Sequence, residues 1–140
     1  MQIKRVLILG GTGFIGRAIA EQFSKRGMEL TVPTRDRDRA KHLLVLPACD
    51  VVVADIFNRS TLQNLLANTD CVVNLVGILH GDFDLVHVQF PKLVAELCVA
   101  NNTPLAWETA HAPSQNHHAK CRLNSLHNRY WRVGFVRSID

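Results

Sequence analysis

Apolar positions come in two rhythms that alternate along the first hundred residues. Ile3 and Val6–Leu9 form a continuous apolar run that ends at Gly10, the pattern of a parallel strand buried on both faces. From Phe14 the period turns helical, with Ile15, Ile19 and Phe23 on one face, and Gly27 predicts the helix end. Leu30–Val32 reads as a second strand, Asp36–Leu46 as a short helix and Val51–Ala54 as a third strand. Ser60-Thr61-Leu62-Gln63 has capping-box spacing, which makes Ser60 the expected cap of a helix carrying Leu62, Leu65 and Leu66 inward. Cys71–Val76 predicts a fourth strand, and Leu85–Ala100 a longer helix with Val86, Leu93, Val94 and Leu97 inward. Strand and helix alternate four times with short connections, half of a doubly wound α/β sheet in the order 3-2-1-4.

Candidate chemistry begins where the first strand meets the first helix, at Gly10-Gly11-Thr12-Gly13-Phe14-Ile15-Gly16. Glycines at i, i+3 and i+6 carry weight here because they leave a buried strand and enter an amphipathic helix. Gly10 permits a tight turn, Gly13 lets the backbone approach a pyrophosphate, and Gly16 allows close helix packing. The free amides of Phe14 and Ile15 then face the phosphate charge at the helix start. This is the arrangement of a Rossmann-type dinucleotide site.

The ends of the other strands bear on which dinucleotide. After Val32-Pro33, Thr34 stands where an NAD-selective site would place a carboxylate, and Arg35, with Arg37 nearby, could pair with a 2′-phosphate. NADP(H) is therefore favoured over NAD(H). Asp36 is the rival, since one residue of slack would return an acid to the ribose. Asp55 could accept from an adenine amine while Ile56 covers the ring; the alternative is a solvated loop acid. Asn74 and Gly77 end the fourth strand beside the expected nicotinamide-side ribose, where Asn74 has the alternative task of tying adjacent strands. His80, His87 and Gln89 lie nearby with no assigned role.

The glycine loop, Val32-Pro33-Thr34-Arg35, Leu44-Val45-Leu46-Pro47, Ala54-Asp55, Val73-Asn74-Leu75-Val76-Gly77-Ile78-Leu79-His80 and Phe90-Pro91-Lys92 together resemble the atypical short-chain dehydrogenase/reductase family, NAD-dependent epimerase/dehydratase-like. Within it they are most similar to the complex I (NADH:ubiquinone oxidoreductase) accessory subunits and their bacterial relatives. The resemblance covers residues 1 to about 100. It implies NADP(H) binding, a respiratory-complex partner, and a structural rather than a catalytic use of the cofactor.

Composition fits an ordinary globular chain: 140 residues, 47% hydrophobic, 20% charged, with four scattered cysteines expected to be reduced. No apolar run reaches the ~18 residues of a spanning helix, so no transmembrane segment is expected. The expected location is the cytoplasm, with peripheral attachment to the inner membrane through a partner complex. Charge divides the chain near residue 101. Residues 1–100 hold eleven Lys/Arg against ten Asp/Glu, whereas residues 101–140 hold five against two, with four of the seven histidines.

The family pattern would continue with a fifth strand, a serine and a Tyr-x-x-x-Lys helix. Instead, Leu105–Thr109 is a poor strand and Tyr130 lacks its lysine. Ser114 and Lys120 keep family spacing, but Asn116 stands in the tyrosine position and an amide cannot replace a phenol as proton donor. No catalytic residue is therefore assigned. His111, His117, His118 and Cys121 match no closed zinc pattern, and the basic residues are too sparse for a nucleic-acid surface.

The expected organisation is an incomplete Rossmann-type sheet of about four strands over 1–100, followed by an irregular tail over 101–140. That tail reads as an out-of-frame or truncated remnant, leaving Cys71–Val76 as an uncovered edge open to aggregation or a protein partner. Two further functions stay open: an NAD(P)-dependent reductase or epimerase needing a missing substrate lobe, and a nucleotide-free interaction module.

Overall fold

The computed structural model describes residues 2–77, 81–108 and 133–136. Its elements run β1 (Arg5–Leu9), α1 (Phe14–Lys25), β2 (Glu29–Thr34), a 3-10 helix (Arg37–Leu43), β3 (Cys49–Val53), α2 (Arg59–Leu66), β4 (Cys71–Asn74), a π-helical turn (Leu85–Gln89), α3 (Phe90–Ala100), β5 (Leu105–Glu108) and β6 (Val133–Val136). The sheet order is β3-β2-β1-β4-β5-β6. The first five strands are parallel and β6 pairs antiparallel to β5. This is a doubly wound, Rossmann-type α/β sheet.

Alternation along β1 explains the two layers. Val6 and Ile8 pack with Ala20 of α1 and with Ala40 and Leu43 of the 3-10 helix. Leu7 and Leu9 pack on the opposite face with Leu62 and Leu66 of α2 and Phe90, Val94 and Leu97 of α3. A strand buried on both faces must be apolar at every position, as the run Val6–Leu9 is.

Helix ends set the direction of each return. After α1, Gly27 takes φ +74° and Met28 N–H reaches the Phe23 carbonyl at 3.2 Å, while Gly27 N–H reaches that of Ser24. After α3, Asn102 takes φ +56°, and Thr103 and Asn102 N–H bond the carbonyls of Cys98 and Val99. Both are Schellman closures, one built on glycine and one on asparagine.

The second closure corrects the expected uncovered edge. It turns the chain into β5, which pairs Val72 with Leu105 and Val73 with Ala106, and Val72 N–H donates to the Pro104 carbonyl at 2.9 Å. Leu105 and Ala106 are buried. The edge of β4 is thus covered by residues whose own sequence makes a poor strand, because the waiting row of backbone groups provides the pairing. With it goes the physical basis for expecting aggregation at Cys71–Val76.

One cap changes and two helices are refined. Asn58, not Ser60, caps α2, its Oδ1 accepting from Thr61 N–H at 3.1 Å. The short helix expected over Asp36–Leu46 is present as a 3-10 helix confined to Arg37–Leu43. The expected single helix Leu85–Ala100 starts as a π-helical turn before α3.

Asp70 ties the start of β1 to the loop before β4. Its carboxylate accepts from the backbone N–H groups of Lys4 and Arg5 and from the Arg5 guanidinium at 2.8–3.0 Å. Led by the Arg5 side chain, these donors hold the Asp70 carboxyl down at about 2, below its ordinary 3.8. A lowered folded-state value means stability that is present above pH 4 and lost as pH falls toward 2. Asp70→Asn is therefore expected to flatten the acid limb of the stability curve between those values, measured by denaturant unfolding at stepped pH.

Candidate functional site

The winding direction reverses between β1 and β4, and the glycine loop sits at that reversal. In open α/β sheets this crevice at the carboxyl ends of the strands is where ligands bind. Gly10 leaves β1 with φ +76°, and a Cβ there would lie 2.9 Å from the backbone of Leu75 and Val76. A Cβ on Gly16 would lie 2.5–2.6 Å from the backbone of Gly11, so at this position α1 rests directly on the loop. Gly13 differs. Its nearest neighbour would be the Gly10 carbonyl at 3.7 Å, an ordinary contact, and its φ is −76°. The fold needs no glycine at position 13.

Gly13 is also the N-cap of α1. No side chain caps this helix, and its first turn holds no acid, whereas Asn58 caps α2 and Asp36 caps the 3-10 helix. Gly13 C=O accepts the first helical bond from Arg17 N–H at 2.9 Å. The amides of Phe14 and Ile15 precede that bond and point out of the helix end, where its dipole favours negative charge. Phe14 is 92% exposed beside them and Ile15 is half-buried. An uncapped helix end beside an open glycine fits a dinucleotide pyrophosphate.

At the end of β2, Thr34 is buried and its hydroxyl is engaged twice. It accepts from Asp36 N–H at 3.1 Å and donates to the Asp36 carbonyl at 2.9 Å. The Asp36 carboxylate accepts from Asp38 N–H at 2.9 Å and pairs with Arg39 at 3.7 Å. Arg35 is exposed, lies over the Phe57 ring, and has no carboxylate partner among the described residues.

At the end of β3, exposed Asp55 accepts from Phe57 N–H at 3.1 Å, and half-buried Ile56 packs against the α2/α3 layer. Asn74 is 7% exposed, and its Oδ1 accepts from Val76 N–H at 3.1 Å. Its side chain thus shapes the turn after its own strand. Gly77 is exposed, and among the described residues a Cβ there would meet only His87 Cε1 at 3.8 Å; the His87 ring stacks on Phe83 at 5.5 Å. Gln89 donates to Asp84. Phe57 was not singled out by sequence; a hydrophobe in a loop gives no signal until its neighbours are known.

Burial pushes the Cys71 thiol up to about 11 and that of Cys98 up to about 12, so neither is a thiolate at neutral pH. His80, Ser114, Asn116, Lys120, Tyr130 and the candidate metal ligands His111, His117, His118 and Cys121 lie outside the described residues. Among the described residues no helix is long and apolar enough to cross a membrane.

Comparison with known proteins agrees with this geometry. The chain is 28% identical over 96 residues to the mitochondrial NADH-ubiquinone oxidoreductase 40 kDa subunit of Neurospora crassa, covering 64% of this chain and 26% of that protein. It is 31% identical over 74 residues to the mitochondrial NADH dehydrogenase [ubiquinone] 1 alpha subcomplex subunit 9 of Arabidopsis thaliana, covering 50% and 18%. The chain therefore spans about a quarter, or less, of the length of these relatives. An enzyme of Bordetella bronchiseptica solved in complex with NAD+ shares the fold, with a TM-score of 0.62 at 24% identity over 73% of this chain and 37% of that one. Residues 6–88 match the model of the NAD dependent epimerase/dehydratase family. With that match over more than half its length, the chain belongs to the NAD dependent epimerase/dehydratase family.

Proposed function

We propose that this domain binds a nicotinamide dinucleotide, NADP(H) in preference to NAD(H), and holds it without turning over a substrate. The observation that carries dinucleotide binding is the open face of Gly13 at the uncapped start of α1, in a loop whose other glycines are required by packing. In this reading Gly10, Gly13 and Gly16 shape the loop, and the Phe14 and Ile15 amides hold the pyrophosphate. Asp55 and Ile56 flank the adenine, and Asn74 and Gly77 border the nicotinamide-side ribose. A bound dinucleotide would supply a hydride donor or acceptor; the residues assigned here bind and orient it.

The preference for NADP(H) rests on which groups are already engaged. Thr34 and Asp36, the two candidates for holding a free 2′-hydroxyl, are committed to the turn after β2. Arg35 is left with an exposed guanidinium. Arg35→Ala is expected to weaken NADPH binding by about 1.5–3 kcal/mol, the worth of a charge-assisted contact, with little change for NADH. Calorimetric titration giving equal losses for both cofactors would refute the role of Arg35.

Absence of turnover rests on the sequence alone, where Asn116 replaces the tyrosine of the family's proton-donating pair. Residues 1–100 form the dinucleotide-binding half in this reading, β5 and β6 extend its sheet, and 101–140 is otherwise a divergent tail. Relatives named as a mitochondrial NADH-ubiquinone oxidoreductase subunit and a mitochondrial NADH dehydrogenase [ubiquinone] subunit support a place at the membrane periphery, reached through a protein partner. The alternative is a reductase or epimerase completed by a substrate lobe. Carbonyl-dependent oxidation of NADPH by the chain would favour that alternative.

A further inference from the structure

The carboxyl ends of the neighbouring strands β2 and β3 bring Arg35 and Phe57 together. The Arg35 guanidinium carbon lies 5.5 Å from the centroid of the Phe57 ring, within cation–π reach. The ring itself is anchored. It lies 4.8 Å, centroid to centroid, from Phe90, which is buried at the start of α3. Its backbone is fixed on both sides, because Phe57 N–H donates to Asp55 and the next residue, Asn58, caps α2.

Among the described residues Arg35 has no comparable anchor of its own. Its side chain is long and exposed, and the acids that follow it in sequence are engaged elsewhere, Asp36 with Arg39 and Asp38 with Lys41. A carboxylate partner would occupy the N–H fork of the guanidinium. An aromatic face leaves that fork available for an anion, since the donors lie in the guanidinium plane. We infer that Phe57 is a positioning residue for Arg35: it holds the guanidinium where a 2′-phosphate is read and so contributes to discrimination between NADP(H) and NAD(H). The inference rests on the cofactor reading above.

The test titrates the full chain and its variants with NADPH and NADH. Phe57→Leu is expected to weaken NADPH about two- to fivefold, as for an exposed cation–π contact, and to leave NADH within about the same affinity. Phe57→Tyr, which keeps the ring, restores the NADPH affinity. In an Arg35→Ala background Phe57→Leu has no NADPH-selective effect. Phe57→Met, which keeps volume against Phe90 without a ring, gives the same selective loss and serves where the leucine variant does not fold. Equal losses for both cofactors, failure of the tyrosine variant to restore affinity, or an undiminished selective loss without Arg35 would each overturn the inference. If Arg35→Ala is itself unselective, the cofactor reading falls and the inference with it. If Arg35→Ala stays selective while Phe57→Leu is not, only the inference falls.

Discussion

Gly13→Ala is expected to cost the fold no more than about 1 kcal/mol, the scale of an N-cap change, while weakening dinucleotide binding about tenfold or more. The fold tolerates the methyl group because the nearest atom, the Gly10 carbonyl oxygen, is 3.7 Å away and φ is −76°. In the proposed site binding is expected not to tolerate it, because the same methyl would stand where the pyrophosphate approaches the Phe14 and Ile15 amides. Paired chemical denaturation and titration of one variant separate these effects. A variant that unfolds, or one that binds with native affinity, would each contradict the assignment of Gly13 to the ligand.

Gly16→Ala is expected to do the reverse and remove the fold. The added Cβ would sit 2.5 Å from Gly11 Cα and 2.6 Å from its carbonyl carbon and oxygen. Backbone cannot rotate aside as a flexible side chain can, so α1 must lift from the loop. Gly16 is buried, and Ala20, a turn further along the same helix, packs with Ile8 of the central strand. The expected loss is about 3 kcal/mol, the upper end of overpacking costs, or more. An unfolding midpoint near that of the unmodified chain would show that the loop and helix are less tightly joined than this packing implies.

These two glycines also mark what could be read from sequence. The loop was legible because its spacing coincides with a change of hydrophobic rhythm, from the run Val6–Leu9 to the helical period of Ile15, Ile19 and Phe23. That coincidence locates the crevice and the helix end. It could not say which glycine the fold requires and which it leaves open, since that depends on the approach of Leu75, Val76 and Gly11.

The strand β5 was illegible for a related reason. Within Leu105–Glu108 the short apolar pair Leu105 and Ala106 gives little strand signal in sequence, and the strand's existence depends on the unpaired edge of β4 beside it. The informative signal lay just upstream in Asn101-Asn102, where asparagine adopts the left-handed turn that glycine adopts at position 27. At α2, Ser60 and Gln63 have capping-box spacing, but Asn58 stands two residues earlier and starts the helix first. At the site, Asp36 as a rival acid could be weighed only once its carboxylate was seen capping the 3-10 helix.

The most direct test of the central claim is calorimetric titration of the intact chain with NADPH and, separately, NADH, on protein shown to unfold cooperatively. Saturable binding at one site is expected, with NADPH tighter by about tenfold or more, as a charge-assisted phosphate contact requires. Cooperatively folded protein that binds neither cofactor saturably would contradict it.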